Sequence, residues 1–323
     1  MASLRMAFDM RAPDFGAPSR QLYQAALSQC EWADRVGFDS VSFMEHHASS
    51  DGYLPSPIVM ASAAAARTSR IQIGLSVMLL PLYHPLRAAE DIAVLDIISG
   101  GRIRLTVGAG YREEEYAQFG LNIRQRPSLM TKGIETLRKS WTGEAFEFEG
   151  RQVRILPRPA QPGGPEIVMG GASEAAAKRA ARIADGFAPI DPGLFECYRQ
   201  ELKVLGKPVP DPMPTRESSP VFIHVSNDPD KDWSIIAPHA LHESNDYASW
   251  AKGDPRYPFK PSTDADVLRA SGMYLVLTPD ECIEQVRKSG ELYLRPLMGG
   301  LDPDIANQSL SLIENSVLPA LRE

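Results

Sequence analysis

The run "IQIGLSVMLLPLYHPLRAAEDIAVLDIISGGRIRLTVGAG" (71–110) decides the fold. Residues 71–81 are apolar and β-rich and read as a strand. Residues 84–99 carry apolar side chains at helical spacing and read as a helix. Residues 101–110 read as the next strand. The same alternation runs outward in both directions. Strands are predicted at 4–10, 39–47, 166–170, 186–190, 220–226 and 292–297. Helices are predicted at 19–37, ending in Gly37, and at 56–69, with Pro57 in the first turn. Further helices are predicted near 127–142 and at 173–184, 194–206, 279–290 and 304–321. Strands that alternate with helices imply a parallel sheet under covering helices. At 323 residues this pattern gives an α/β chain with a closed (β/α)8 TIM-like barrel, and a doubly wound open sheet as the alternative. No linker divides the sequence, so 1–323 is expected to be a single barrel domain. Three stretches interrupt the rhythm: a hairpin excursion at 143–165, a proline-rich loop at 207–219 and a long loop at 252–266.

Composition narrows the function. Hydrophobic residues make up 43% of the chain and the formal net charge is −7. Nucleic-acid binding needs clustered Lys and Arg, and no basic stripe is visible. Three cysteines, Cys30, Cys197 and Cys282, are widely spaced. That pattern fits a reducing compartment rather than a disulfide framework. No apolar run approaches the ~18 residues of a membrane span. These features lead to the expectation of a cytoplasmic protein without nucleic-acid or membrane partners.

The stretch "FMEHHASSDGY" (43–53) holds two of the six histidines side by side. Three readings stand: a metal site, a catalytic base, or a polar strand end. Side chains alternate along a strand. Ser40, Ser42, Met44 and His46 then share one face, and Val41, Phe43, Glu45 and His47 share the other. With Val41 and Phe43 under the helices, His46 is expected to point into the barrel at its C-terminal mouth, where barrel enzymes keep their sites. Metal binding is disfavoured, because adjacent strand residues diverge and neither HxH nor HExxH is present.

Two glycine stretches follow. Gly108-x-Gly110 has Glu113 where a dinucleotide fingerprint needs its third glycine, so a Rossmann pyrophosphate site is disfavoured. The pair permits close approach of a flat group, or simply a tight turn. In "IVMGGASEAAAKRAARIADG" (167–186), Gly170 and Gly171 end a strand and Ser173 opens a helix. This is either an anion site at a helix N-terminus or an ordinary N-cap. Arg87 and Glu90 read as a helix-face ion pair. Glu113–Glu115 read as a helix start that complements the dipole. His84 reads as structural, and His224, His239 and His242 fall in no motif.

Taken together, "GFDSVSFMEHH" (37–47), 69–120, 141–187 and "PLMGGLDPDIANQSL" (296–310) resemble the bacterial-luciferase-like flavin-dependent monooxygenases and oxidoreductases. The resemblance covers most of the chain and is weakest at 207–219 and 252–266. It implies a TIM-like barrel with insertions that binds FMN or the deazaflavin F420 at its C-terminal mouth. His46 matches the active-site histidine. Ser76-Val77 matches the strand-end bulge under the flavin ring, often a non-proline cis peptide. Gly108, Ala109, Gly110 and Tyr111 match the strand end near the cofactor, and Gly170, Gly171, Ala172 and Ser173 the phosphate loop. Luciferase α subunits carry an arginine where this chain has Ala109. The phosphate charge then falls to backbone N–H groups or to another cation such as Arg112 or Arg179.

The resemblance further implies a monooxygenase. Reduced FMN from a separate flavin reductase would meet O2 to form a C4a-hydroperoxyflavin that oxidises a small, apolar organic substrate, with His46 as base or proton donor. F420-dependent hydride transfer is the alternative, and a flavin-binding protein without turnover is a third. A homodimer is also implied.

Overall fold

The structure is a computed structural model and describes residues 2–213 and 220–322. Its strands are β1 (Ser3–Phe8), β2 (Ser40–Phe43), β3 (Gln72–Met78), β4 (Ile103–Val107), β5 (Phe146–Phe148), β6 (Arg151–Val153), β7 (Glu166–Gly171), β8 (Gly186–Pro189), β9 (Phe222–Val225), β10 (Tyr274–Leu277) and β11 (Glu291–Leu294). Its α-helices are α1 (Ser19–Val36), α2 (Pro57–Arg67), α3 (Pro85–Ser99), α4 (Glu113–Gln118), α5 (Arg126–Trp141), α6 (Glu174–Ile183), α7 (Leu194–Val204), α8 (Pro229–Ala251), α9 (Ala265–Ala270), α10 (Pro279–Ser289), α11 (Pro303–Leu312) and α12 (Leu318–Arg322). Each predicted strand overlaps an observed one. Three elements were not expected: α8, β10, and α9 at the end of the 252–266 stretch. Within the 207–219 loop, 207–213 carries no helix or strand, and 214–219 lies outside the described residues.

The chain divides into two compact units. The first comprises 1–43, 49–55 and 215–323. In it β1 pairs in parallel with β11 and β2, and β9 pairs in parallel with β10. Phe222, Trp233, Ile236, Tyr274, Met298 and Leu301 form an apolar core. Beside it lies buried charge. Arg11, fully enclosed, donates through Nη1 to Asp51 and Asp246. Its guanidinium stands 4.7 Å from the ring centroids of Tyr53 and Trp250 and 5.0 Å from that of Tyr247. Arg295 is paired with Asp9 and Glu243, and Tyr274 donates to Glu243 at 2.9 Å.

The second unit comprises 44–48 and 56–214. Strands β3, β4, β7 and β8 pair successively, all in parallel. The 143–165 excursion is the antiparallel hairpin β5–β6. Arg87 pairs with Glu90 at 3.7 Å as expected, and more closely with Asp91 at 2.9 Å. Helix α2 ends at Thr68 without a left-handed glycine. Its last carbonyls are met instead by buried Arg102, which donates to Ala65 O and Thr68 O at 3.0 Å each and to Ile71 O at 3.1 Å. The same side chain reaches Ser99 O, at the end of α3, at 2.6 Å. One guanidinium thus serves two helix ends whose carbonyls have no partner in their own helix.

Candidate functional site

Every candidate site residue falls in the second unit. Strand β3 runs in register with β4 to Ser76↔Thr106, then shifts so that Met78 faces Val107. The peptide bond inside this bulge, Ser76–Val77, is cis. Gly108 N–H donates to Met78 O at 2.8 Å. A Cβ on Gly108 would collide with Val77 Cγ1, so the seat of the Val77 side chain depends on a bare backbone at 108. Beyond β4, Val107 pairs with Met169 of β7. The segments 76–77, 108–111 and 170–173 therefore all lie at the C-terminal ends of three adjacent parallel strands.

The two histidines turn to two different carboxylates. His46 Nδ1 is 2.7 Å from Glu115 Oε1. The same oxygen accepts His47 N–H at 3.0 Å. Arg112 Nη1 donates to His47 O at 2.7 Å and reaches Glu115 at 3.5 Å. Glu115 is fully buried, and its Oε2 has no hydrogen-bond partner among the described residues. Tyr111 meets the His46 ring edge-on, with centroids 5.8 Å apart. Tyr116 donates to Ala109 O at 2.5 Å, and burial pushes its phenol up to about 12.

His47 faces away from this group. Its Nε2 is 2.8 Å from Glu45 Oε1, which also accepts Tyr83 O–H at 2.9 Å. The other oxygen of Glu45 accepts Leu79 N–H, just past the β3 bulge, at 2.8 Å. Burial raises the Glu45 carboxyl above its ordinary value, although the bonds from His47, Leu79 and Tyr83 oppose this. Phe119 closes the far side, with ring centroids 4.9 Å from His47. The doubled histidine thus splits into a ring beside Glu115 and Tyr111 and a ring locked under the end of β3.

One expectation is corrected here. The strand predicted over 39–47 stops at Phe43, because the following backbone leaves the ladder. His46 is therefore held by Glu115 and not by strand alternation. Glu113–Glu115 do open α4 as an acidic first turn, as read from the sequence. Glu113 and Glu114 are exposed at the start of α4, but Glu115 turns inward. Arg112, considered for a phosphate, is committed to His47 O and Glu115. The signal for Glu115 was its neighbour Tyr116, also fully buried, which marks the inward face of a short helix.

At 170–173 the structure shows the N-cap. Ser173 is the N-cap of α6, its Oγ accepting Ala176 N–H at 3.2 Å. An accepting hydroxyl keeps its own hydrogen for another acceptor. A Cβ on Gly171 would meet Ala176 Cβ at 2.6 Å and the Phe187 ring at 3.0 Å, so this glycine lets α6 seat against β8. Gly170 and Ala172 flank it, half-buried.

Among the described residues one cluster brings metal-type ligands together: Asp51, His242 and Asp246 of the first unit, with ligand atoms within 4.8 Å of one another. Arg11 donates to both carboxylates, so a cation already stands there. None of the helices is long and apolar enough to cross a membrane, among the described residues.

Residues 6–295 match the family described as luciferase-like monooxygenase. The chain is 28% identical over 341 residues to an F420-dependent glucose-6-phosphate dehydrogenase of Microbacterium testaceum, covering 99% of this chain and 98% of that one. Two uncharacterized proteins of Sinorhizobium fredii match at 33% and 36% identity, over 43% and 48% of this chain, which spans only 40% and 46% of their lengths. Among solved structures, the monooxygenase RslO1 of Streptomyces bottropensis superposes with a TM-score of 0.78 at 24% identity, over 99% of both chains. The oxygenating constituent of 3,6-diketocamphane monooxygenase of Pseudomonas putida, in complex with FMN, gives a TM-score of 0.73 at 21% identity, over 99% and 98% of the two chains. These likenesses show the fold, a TIM-like barrel of the luciferase type.

Proposed function

The chain belongs to the luciferase-like monooxygenase family, and on that premise we propose that it is a flavin-dependent monooxygenase. It would use reduced FMN from a separate flavin reductase, O2 and a small, largely apolar organic substrate. One relative is named F420-dependent and one solved structure of the same fold holds FMN. Bound reduced FMN would supply the oxygen-activating chemistry.

The observation that carries the proposal is the contact of His46 Nδ1 with the buried Glu115 carboxylate at 2.7 Å, beside Tyr111. A carboxylate on Nδ1 holds a proton there and leaves the lone pair of the neutral ring on Nε2. His46 would take or give a proton at Nε2, toward substrate or cofactor. Glu115 would fix the tautomer and the ring angle. The residues around it fit a flat ring ending in a phosphate. Val77, seated on Gly108, stands at the β3 bulge, Gly110 offers bare backbone, and the N-terminus of α6 with Ser173 O–H offers donors to an anion. Such an end needs no arginine at 109. Exchange of His46 for Ala should leave FMN affinity within about threefold and slow turnover on the order of 10²–10⁴-fold. Equal turnover of variant and parent under saturating reduced FMN would overturn the assignment.

A second reading is F420-dependent hydride transfer, without oxygen. The observation favouring it is the full-length likeness to the M. testaceum dehydrogenase. Supplying each reduced cofactor with and without O2 separates the two.

A further inference from the structure

Helix α6 carries Ala175, Lys178, Arg179 and Arg182 at i, i+3, i+4 and i+7, a single stripe along one face. With Thr131 and Glu135 of α5 these residues line a cleft of about 440 Å³. Three cations face one carboxylate in it. Arg182 is paired with Glu201 of α7 at 2.8 Å. Lys178 and Arg179 have no hydrogen-bond or ion-pair partner among the described residues. Ala175 lies two residues past the N-cap Ser173, so the cleft opens where the 170–173 loop ends.

We propose that this cleft is a subsite for an oligoanionic tail, the run of carboxylates that F420 carries beyond its phosphate. FMN ends at its phosphate and has nothing to place there. The inference rests on the second reading above and deepens it by naming the side chains that would hold the tail. An anion held at the start of α6 would stand at the same end of the helix as Ala175, the first α6 residue of the cleft lining. From Lys178 to Arg182 the helix rises about 6 Å, a span that two neighbouring carboxylates can bridge. Lys178 is exposed, so its attraction for the tail is screened by salt.

The test titrates the full chain, at low ionic strength, with F420 lacking glutamates, with F420 carrying several, and with FMN. The parent is compared with Lys178→Glu. The expected result is that the parent binds the tailed form roughly tenfold tighter than the tail-less form, as a few exposed ion pairs allow. That advantage should fall in salt and vanish in the variant, while tail-less F420 and FMN bind parent and variant alike. F420 bound equally with and without its tail overturns the subsite and spares the second reading. A tail advantage that survives Lys178→Glu also overturns the subsite. Failure of every F420 form to bind, with FMN bound, overturns both.

Discussion

Buried carboxylates meet imidazoles around residues 45–47 and guanidiniums around residues 11 and 295. In the first region Glu115 and Glu45 each hold one ring, and Glu115 keeps one oxygen without a partner. In the second region Asp51 and Asp246 share Arg11, and Asp9 and Glu243 share Arg295. A guanidinium stays charged at any working pH, whereas an imidazole changes charge near neutrality. On the proposed reading the first arrangement would pass a proton without losing its shape, whereas the second holds a fixed charge. The aromatic faces of Tyr53, Tyr247 and Trp250 around Arg11 fit that fixed role.

The largest effect on stability is expected from breaking the second region. Arg295→Leu would strand Asp9 and Glu243 as buried, unpaired charge, and should cost about 3–5 kcal/mol by urea unfolding. A loss below about 1 kcal/mol would mean that those acids are protonated in the fold. Breaking the first region should show in kinetics instead. Glu115→Gln keeps the size and the contact with His46 but loses the charge. Turnover should fall on the order of 10²-fold, and its pH profile should move. Unfolding should change by about 1 kcal/mol or less. If stability collapses while the residual turnover per folded molecule is normal, Glu115 is structural and the contrast between the regions fails.

The smallest expected effect concerns His242, where the two kinds of pairing meet. Its bond to Asp51 raises the imidazole pKa, more than burial lowers it. Asp246 and Arg11 also face it, as does the Phe15 ring. Burial pushes Asp51 up, but bonds from His242 and Ser49 and the charge of Arg11 hold it well below the carboxylate range. A raised histidine adds stability that is full below about pH 6.5 and is lost as pH rises through its folded value. A depressed aspartate adds stability above about pH 4 that is lost as pH falls through its folded value. The pair should therefore contribute most between about pH 4 and 6.5. Urea midpoints of the parent minus those of His242→Gln, followed from pH 5 to 9, should shrink on the alkaline side. A flat difference would remove His242 from the charge balance.

The alternation of strands and helices was legible because it rests on local patterns: apolar runs for β3 and β4, and helical spacing for α3. The bulge at Ser76–Val77 and the 170–173 turn were legible through resemblance. What escaped depends on distant partners. The strand at 39–47 was read too long, since nothing local announces that Glu115 captures His46 from 69 residues away. Glu115 was hidden among three successive glutamates. Strand β10 is as long as β2, β8, β9 and β11 and lies in the apolar run "MYLVL" (273–277), so its signal was present in the sequence.

Arg102 has a consequence for how the chain comes off the ribosome. Helix α2 leaves the exit tunnel with Ala65 O and Thr68 O bare, because the side chain that closes them is encoded 34 residues after Thr68. Thr68 Oγ–H meets Ala64 O locally at 2.8 Å, but Ala65 O and Thr68 O have only water until residue 102 is made. The second unit is thus expected to acquire α2, α3 and the start of β4 in one cooperative step, and truncation before residue 102 should yield a nascent chain whose α2 frays.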